Sequence, residues 1–326
     1  MKTEQRFSSK FLRITLGVAL IVAGSSAGAE SNLTLKILAP ASVGGGWDNT
    51  AKAIAETLKR EGIVNDVSVY NLPGKAGTLG LAEFVKLKGQ SNQQMLTGFV
   101  MVAGIPINQS PFDLNSDVTP IARLTTDYEV LIVPAKSRFR DVEDLVAAFK
   151  AAPSSIRFGG SSAGGSAHIA IGKLARELNI SMDQVRYVPS AGGAQATAAM
   201  LGGELDVVSA GYSEIEDALK SGQVRGLAIL APEAVNGINL PTLIEKGIDV
   251  DVSNWRGVVA PAGISAAQRA RLTLMMTRMV RTRTWQQQLS QNKWNAYFAT
   301  GDTFDRFIRS QKTVVAQLLR SLDILK

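Results

Sequence analysis

After residue 33 the chain alternates short apolar runs with amphipathic stretches, the pattern of βαβ units around mostly parallel sheets. Residues 35–39, 67–70, 95–100, 128–133, 156–158, 185–188, 205–209, 224–230 and 255–260 predict strands. Residues 49–60, 78–86, 142–150, 167–178, 194–201 and 215–219 predict the helices between them. Pro134 and Pro261 close two of the strands. Beyond Pro261 the chain reads as helical throughout. Ser265 and Gln268 have capping-box spacing at the start of a helix reaching about residue 281, and further helices are expected over 285–291 and 304–322. The last repeats Phe304, Phe307, Ile308, Val314, Val315, Leu318, Leu319 and Leu322 at a helical period, which predicts one buried face. No internal repeat or low-complexity tract interrupts this order.

The first 29 residues have a different pattern. Lys2, Arg6, Lys10 and Arg13 precede an eleven-residue apolar run over 14–24, and small residues ending in Ala27-Gly28-Ala29 follow. This is the layout of an export signal cleaved after Ala29. The run falls short of the ~20 residues an ordinary membrane-spanning helix needs. With no cysteine at the cleavage site a lipid anchor on that residue is excluded, so a soluble, exported protein is expected. Cleavage removes four basic residues and Glu4, lowering the formal charge from +7 to +4. That balance suits attraction of small anions and is too weak to argue for nucleic acid.

Composition narrows the chemistry. The 326 residues include no cysteine and one histidine, His168, so disulfides, thiolate metal sites, a cysteine nucleophile and His-rich metal clusters are excluded. No metal or cofactor is expected.

Two segments carry candidate chemistry. Val43, Gly44, Gly45, Gly46, Trp47 and Asp48 lie between the first strand and first helix; Gly159-Gly160 followed by Ser161, Ser162, Ala163, Gly164, Gly165 and Ser166 lie between a later strand and helix. Glycine lets backbone approach a ligand, first-turn N–H groups lack intrahelical partners, and the helix dipole favours negative charge there. Each loop is therefore a potential anion cradle. A third loop, Pro73-Gly74-Lys75-Ala76-Gly77, follows the second strand and could line the same mouth. Lys75 and Arg123 are the nearest cations by loop position. Asp48 sits where a helix-capping carboxylate belongs, and Trp47 reads equally as ligand wall or core residue.

Better-known motifs fail against these loops. Gly160 and Gly165 have phosphate-loop spacing, but Ser166-Ala167 replace its Lys-hydroxyl pair; Asn49 replaces the last glycine of the dinucleotide fingerprint. Gly160-Ser161-Ser162-Ala163-Gly164 matches the nucleophile elbow of serine hydrolases, which makes a secreted hydrolase built on Ser162 the enzyme alternative. Its base would have to be His168, nearly two turns along the helix that the elbow opens, whereas hydrolases place histidine far downstream. His168 reads instead as a partly buried residue ordering the loop.

Taken in order, Gly44-Gly45-Gly46-Trp47-Asp48, Pro73-Gly74 with Gly77-Thr78, residues 159–168 (GGSSAGGSAH), Tyr187-Val188-Pro189 with Gly192-Gly193-Ala194, residues 201–207 (LGGELDV) and residues 255–263 (WRGVVAPAG) resemble the periplasmic solute receptors of tripartite tricarboxylate transporters, the TctC or Bug family. The resemblance implies an α/β, type II-like Venus flytrap: two lobes, a ligand cleft between them, and chain crossings near 128–133 and 252–259. Lobe one would comprise residues 30–130 and 253–326, and lobe two residues 131–252. It implies a monomeric periplasmic receptor, not an enzyme. Its ligand would be an organic di- or tricarboxylate, citrate-like as first choice, held by residues 43–48 and 161–166 and delivered to the transporter's membrane permease. A receptor of the same ligand serving a sensor kinase is the alternative partner. Lys75 departs from the small residue expected in its loop.

Overall fold

A computed structural model describes residues 34–325; the export signal and its cleavage site lie outside the described residues. The chain starts with β1 (Thr34–Ala39), α1 (Gly46–Arg60), β2 (Asp66–Asn71), α2 (Thr78–Phe84), β3 (Gln93–Gly98) and α3 (Phe99–Ile107). β1 pairs in parallel with both β2 and β3. The apolar run expected as a strand over 95–100 divides: β3 ends at Gly98 and α3 begins at Phe99. Apolarity at every position fits a buried strand and a buried helix equally, so periodicity could not mark that boundary.

The 17-residue β4 (Val118–Pro134) organises the molecule. From Val118 to Tyr128 it lies antiparallel to β9 (Ser253–Pro261), and over the same stretch it also pairs with β10 (Asn295–Thr300). From Glu129 it changes partners to β7 (Val207–Gly211) and β8 (Val224–Ile229). β7 then pairs in parallel with β5 (Arg157–Gly160), which pairs in parallel with β6 (Arg186–Pro189). The resulting strand order is β2-β1-β3-β9-β4-β7-β5-β6. The expectation of mostly parallel sheets is thus met at the two ends and overturned at the centre, where β4 and β9 run antiparallel. β10 corrects the reading of the C-terminal region as wholly helical.

The helices α4 (Val142–Ala151), α5 (Ser166–Glu177), α6 (Gly193–Leu201) and α7 (Tyr212–Lys220) flank the β5-β6-β7-β8 group. Alternation along β4 divides its buried residues between two cores. Val130 and Ile132 pack with Ala196, Met200 and Ile215 from α6 and α7, whereas Leu131 and Val133 join the large core on the other face. The C-terminal α8 (Ala266–Val280) and α10 (Gly301–Ser321) pack against β4, α10 also against α3, and α9 (Arg283–Asn292) packs against α1. The capping box forms as expected: Gln268 N–H donates to Ser265 Oγ, and the Gln268 side chain accepts from Ser265 N–H. In α10, Phe304, Ile308, Val315 and Leu319 are buried and Phe304 and Phe307 meet Trp255 of β9 edge-on, while Val314 is exposed. The end of this helix reaches α5 through a 3.1 Å hydrogen bond from Arg176 to Ser321 Oγ.

Candidate ligand-binding cleft

A cavity of about 370 Å³ opens where β4 changes partners. Four strand-to-helix loops converge on it: the loop before α1, the Gly74–Gly77 loop before α2, the loop before α5, and the Gly192-Gly193 loop before α6. Of the residues expected at a site, Gly45, Gly46, Trp47, Ser161, Ser162, Ala163 and Ser166 line it. Val43 instead faces solvent, Gly44 is half-buried and does not line the cavity, and Asp48, Gly164 and Gly165 are buried behind the walls. Lys75 lines the cavity, but Arg123 stacks over the Tyr297 ring at 3.4 Å and donates to the Tyr297 carbonyl.

The loop before α1 is held from inside. Asp48 is fully buried and accepts from Gly44 N–H (2.7 Å), Lys52 Nζ (2.6 Å) and Asn71 Nδ2 (2.9 Å). Burial alone would raise its carboxyl, but these donors outweigh it and hold it below the usual value. Asp48 therefore clamps the loop to β2, and Trp47, 7 % exposed, lines the cavity while forming part of the core. Gly46 N–H, the first donor of α1, is not open to a guest: it donates to Glu214 Oε1 at 3.0 Å. Glu214, in the first turn of α7, also accepts from Gly193 N–H at the start of α6. A carboxylate of the protein thus sits between two helix N-termini, where the dipoles favour it.

The loop before α5 is arranged differently. Gly164 N–H donates to His168 Nδ1 (3.0 Å), Gly165 N–H to the Ser162 carbonyl (2.8 Å), and Tyr187 Oη to the Ser161 carbonyl (2.7 Å). His168 stacks on Tyr187, and burial lowers its pKa to about 4, so it is neutral at pH 7. The imidazole orders the loop, as expected. Its Nδ1 accepts a backbone proton, whereas in a hydrolase triad that nitrogen donates to the acid. Ser161 Oγ lines the cavity region without any hydrogen-bond partner.

The sequence reading missed the floor, which is built of charges. Asp127 and Glu129 lie two apart on β4, and Asn254 and Arg256 two apart on β9; Asp127 is directly opposite Asn254, so the four share a face. Arg256 forms a buried ion pair with Asp127, donates to Thr50 Oγ1 (3.1 Å), and packs against Gly46 so closely that a Cβ there would lie 2.6 Å from its Nη2. Glu129 accepts from Ser209 Oγ (2.9 Å) and from the Ser166 hydroxyl. Burial, with the nearby Asp127 and Glu214 charges, raises its pKa to about 7 despite those bonds. Burial likewise raises Glu214, with Asp127 adding to it against the opposing pull of Arg256 and the two amides. One signal in the sequence could have found this floor: Asp127 and Glu129 border an apolar strand and Arg256 interrupts another, and charges are seldom buried unless paired. Among the described residues no cluster of His, Cys, Asp and Glu has metal-binding geometry.

Comparison with known proteins follows the same lines. Residues 50–324 match the model of the TctC family, described as the tripartite tricarboxylate transporter family receptor. A protein of Pseudomonas sp. strain P51, described as the UPF0065 protein in the tcbD-tcbE intergenic region, is 26% identical over 278 residues, 82% of this chain and 81% of its own. Among solved structures, the periplasmic binding protein BugD superposes with a TM-score of 0.82 at 19% identity, covering 90% of this chain and 98% of its own. MatC from Rhodopseudomonas palustris, solved with bound malate, superposes with a TM-score of 0.74 at 18% identity, covering 90% and 99%. The fold is therefore that of a two-lobed binding protein, as expected, with the cavity between the lobes.

Proposed function

Because the chain belongs to the tripartite tricarboxylate transporter receptor family, a family of periplasmic binding proteins rather than enzymes, we propose that its cleft captures a small organic di- or tricarboxylate, with citrate-like acids first in line. The observation that supports this most directly is the convergence of the two glycine-rich loops on one cavity between the strand groups joined by β4. Ser161 Oγ offers a free hydroxyl and Lys75 a cation at the exposed edge of the cavity, both suited to a carboxylate. Malate in MatC gives a neighbour of this fold whose guest has that chemistry.

In this reading lobe one comprises residues 30–130 and 253–326, and lobe two residues 131–252. β4 changes partners two residues before that boundary, between Tyr128, opposite Ser253, and Glu129, opposite Gly211. Of the residues expected from the sequence, the proposed contact set keeps Gly45, Gly46, Trp47, Ser161, Ser162, Ala163 and Ser166, to which Lys75, Glu129, Asn254 and Arg256 are added. The mature protein, cut after Ala29, works as a periplasmic monomer, closes on the acid and presents it to the membrane permease. Closure follows because a guest touching both lobes binds the closed form more tightly than the open one.

The test is a thermal-shift screen of the purified mature chain against citrate, tricarballylate, malate, succinate and aspartate, with calorimetry on each hit. A ligand that binds only the native state raises Tm in a concentration-dependent way. A rise with at least one of these acids is expected; a flat response to all overturns the reading.

A further inference from the structure

The donors and acceptors in the cleft are unevenly matched. At the floor, several donors are already engaged: Gly46 and Gly193 N–H with Glu214, and Arg256 Nη1 and Nη2 with Thr50 and Asp127. Acceptor capacity is left over. Asn254 lines the cavity and is buried to all but 8 %; its Oδ1 has no partner, while its side chain bonds the Asp127 carboxylate across the strand pair. Glu129, 2 % exposed, lines the same cavity; it accepts from Ser209 at Oε2 and from the Ser166 hydroxyl, and a carboxylate has lone pairs to accept further. Buried acceptors without donors are costly, and a guest that supplies the missing protons recovers that cost. The outer wall has the opposite character, with Lys75 and the free Ser161 hydroxyl.

We propose that the floor of the cleft is an acceptor subsite for a hydroxyl or ammonium group on the ligand's carbon skeleton. Glu129 and Asn254 are its specificity-determining residues, and they select acids that carry such a donor over acids of the same length that do not. The inference rests on the carboxylate reading above: the guest's carboxylate meets Lys75 and Ser161, and its donor points inward to Glu129 and Asn254. An acid made of carboxylates alone brings negative charge against Glu129 and Glu214 and leaves the acceptors unpaired.

Matched acids test this on the unaltered mature chain by calorimetry at pH 8, above the value to which Glu129 is raised. Malate against succinate, and citrate against tricarballylate, differ by one hydroxyl; aspartate against succinate differs by one ammonium. The donor-bearing member of at least one pair is expected to bind about tenfold more tightly or better, as a hydrogen bond to a charged acceptor provides. The pair that shows it identifies the group as hydroxyl or ammonium. Glu129→Gln, which removes the charge and keeps the size, is expected to shrink that ratio at least threefold. Ratios below threefold in every pair overturn the subsite while the carboxylate reading stands; an undiminished ratio in Glu129→Gln overturns the role of Glu129. Failure of every acid to bind overturns both readings.

Discussion

The two glycine-rich loops look alike in sequence, yet the protein uses them in opposite ways. The loop before α1 is closed from within: Asp48 holds Gly44, and Glu214 takes the amide of Gly46. The loop before α5 ties the amides of Gly164 and Gly165 to His168 and the Ser162 carbonyl but leaves the Ser161 hydroxyl without a partner. A helix N-terminus marks where an anion can sit, and does not say whose anion it is. In the first loop the anion is the protein's own carboxylate, carried on α7, so the backbone cradle serves the contact between lobes. Hydroxyls, Lys75 and the charged floor also face a guest.

The sharpest way to break this picture is to remove the cation between the first loop and the floor. Arg256→Met leaves Asp127 buried without its partner, and loss of one member of a buried ion pair costs about 3–5 kcal/mol. Urea unfolding of the variant, extrapolated to water, measures it. A loss below about 1 kcal/mol would mean that Asp127 takes up a proton at little cost, and that the ion pair does not tie the strands of the floor.

Glu129 provides the next effect, with a definite sign. In the folded protein it keeps its proton up to about pH 7, against a reference value of 4.5. Its contribution to stability is therefore present below pH 4.5 and is lost as pH rises through 7. Across that interval the wild type gives up roughly 3 kcal/mol that Glu129→Gln does not. Relative to wild type, the variant should gain stability between pH 5 and pH 8. His168 works the other way, losing stability as pH falls from 6.5 toward 4, but it is common to both proteins and cancels in the difference.

The alternation of strands and helices was legible because each element buries one face, and the Ser265 capping box and the packing period of α10 were legible because both are local. The loops were legible as helix openings. Their occupants were not. Asp127 and Glu129 on β4, Glu214 on α7 and Arg256 on β9 come from three elements and meet only because β4 runs through both strand groups. Along the sequence each is a single charge of the kind that normally faces water. α3 was hidden by uniform apolarity, and β10 by following α9 after a turn through Lys293 in the left-handed region (φ 55°).

The smallest effects set the two loops side by side through one substitution. Gly44 and Gly164 both adopt left-handed backbone, with φ of 82° and 72°, so alanine is strained at either. They differ in surroundings. A Cβ on Gly164 would fall 1.7 Å from Ile107 Cδ1 at the end of α3, across the mouth between the lobes; one on Gly44 would meet nothing within 4 Å. Gly164→Ala should cost roughly 2–3 kcal/mol, the backbone strain plus displacement of Ile107. Gly44→Ala should cost about 1 kcal/mol, the strain alone, which lowers Tm by roughly 2–4 °C. Because Gly44 does not line the cavity, its variant should keep the wild-type affinity for whichever acid binds, whereas Gly164→Ala props the lobes apart and weakens it. Equal costs at the two sites, or equal losses of affinity, would show that the first loop is as tightly enclosed as the second, and the contrast between them would fail.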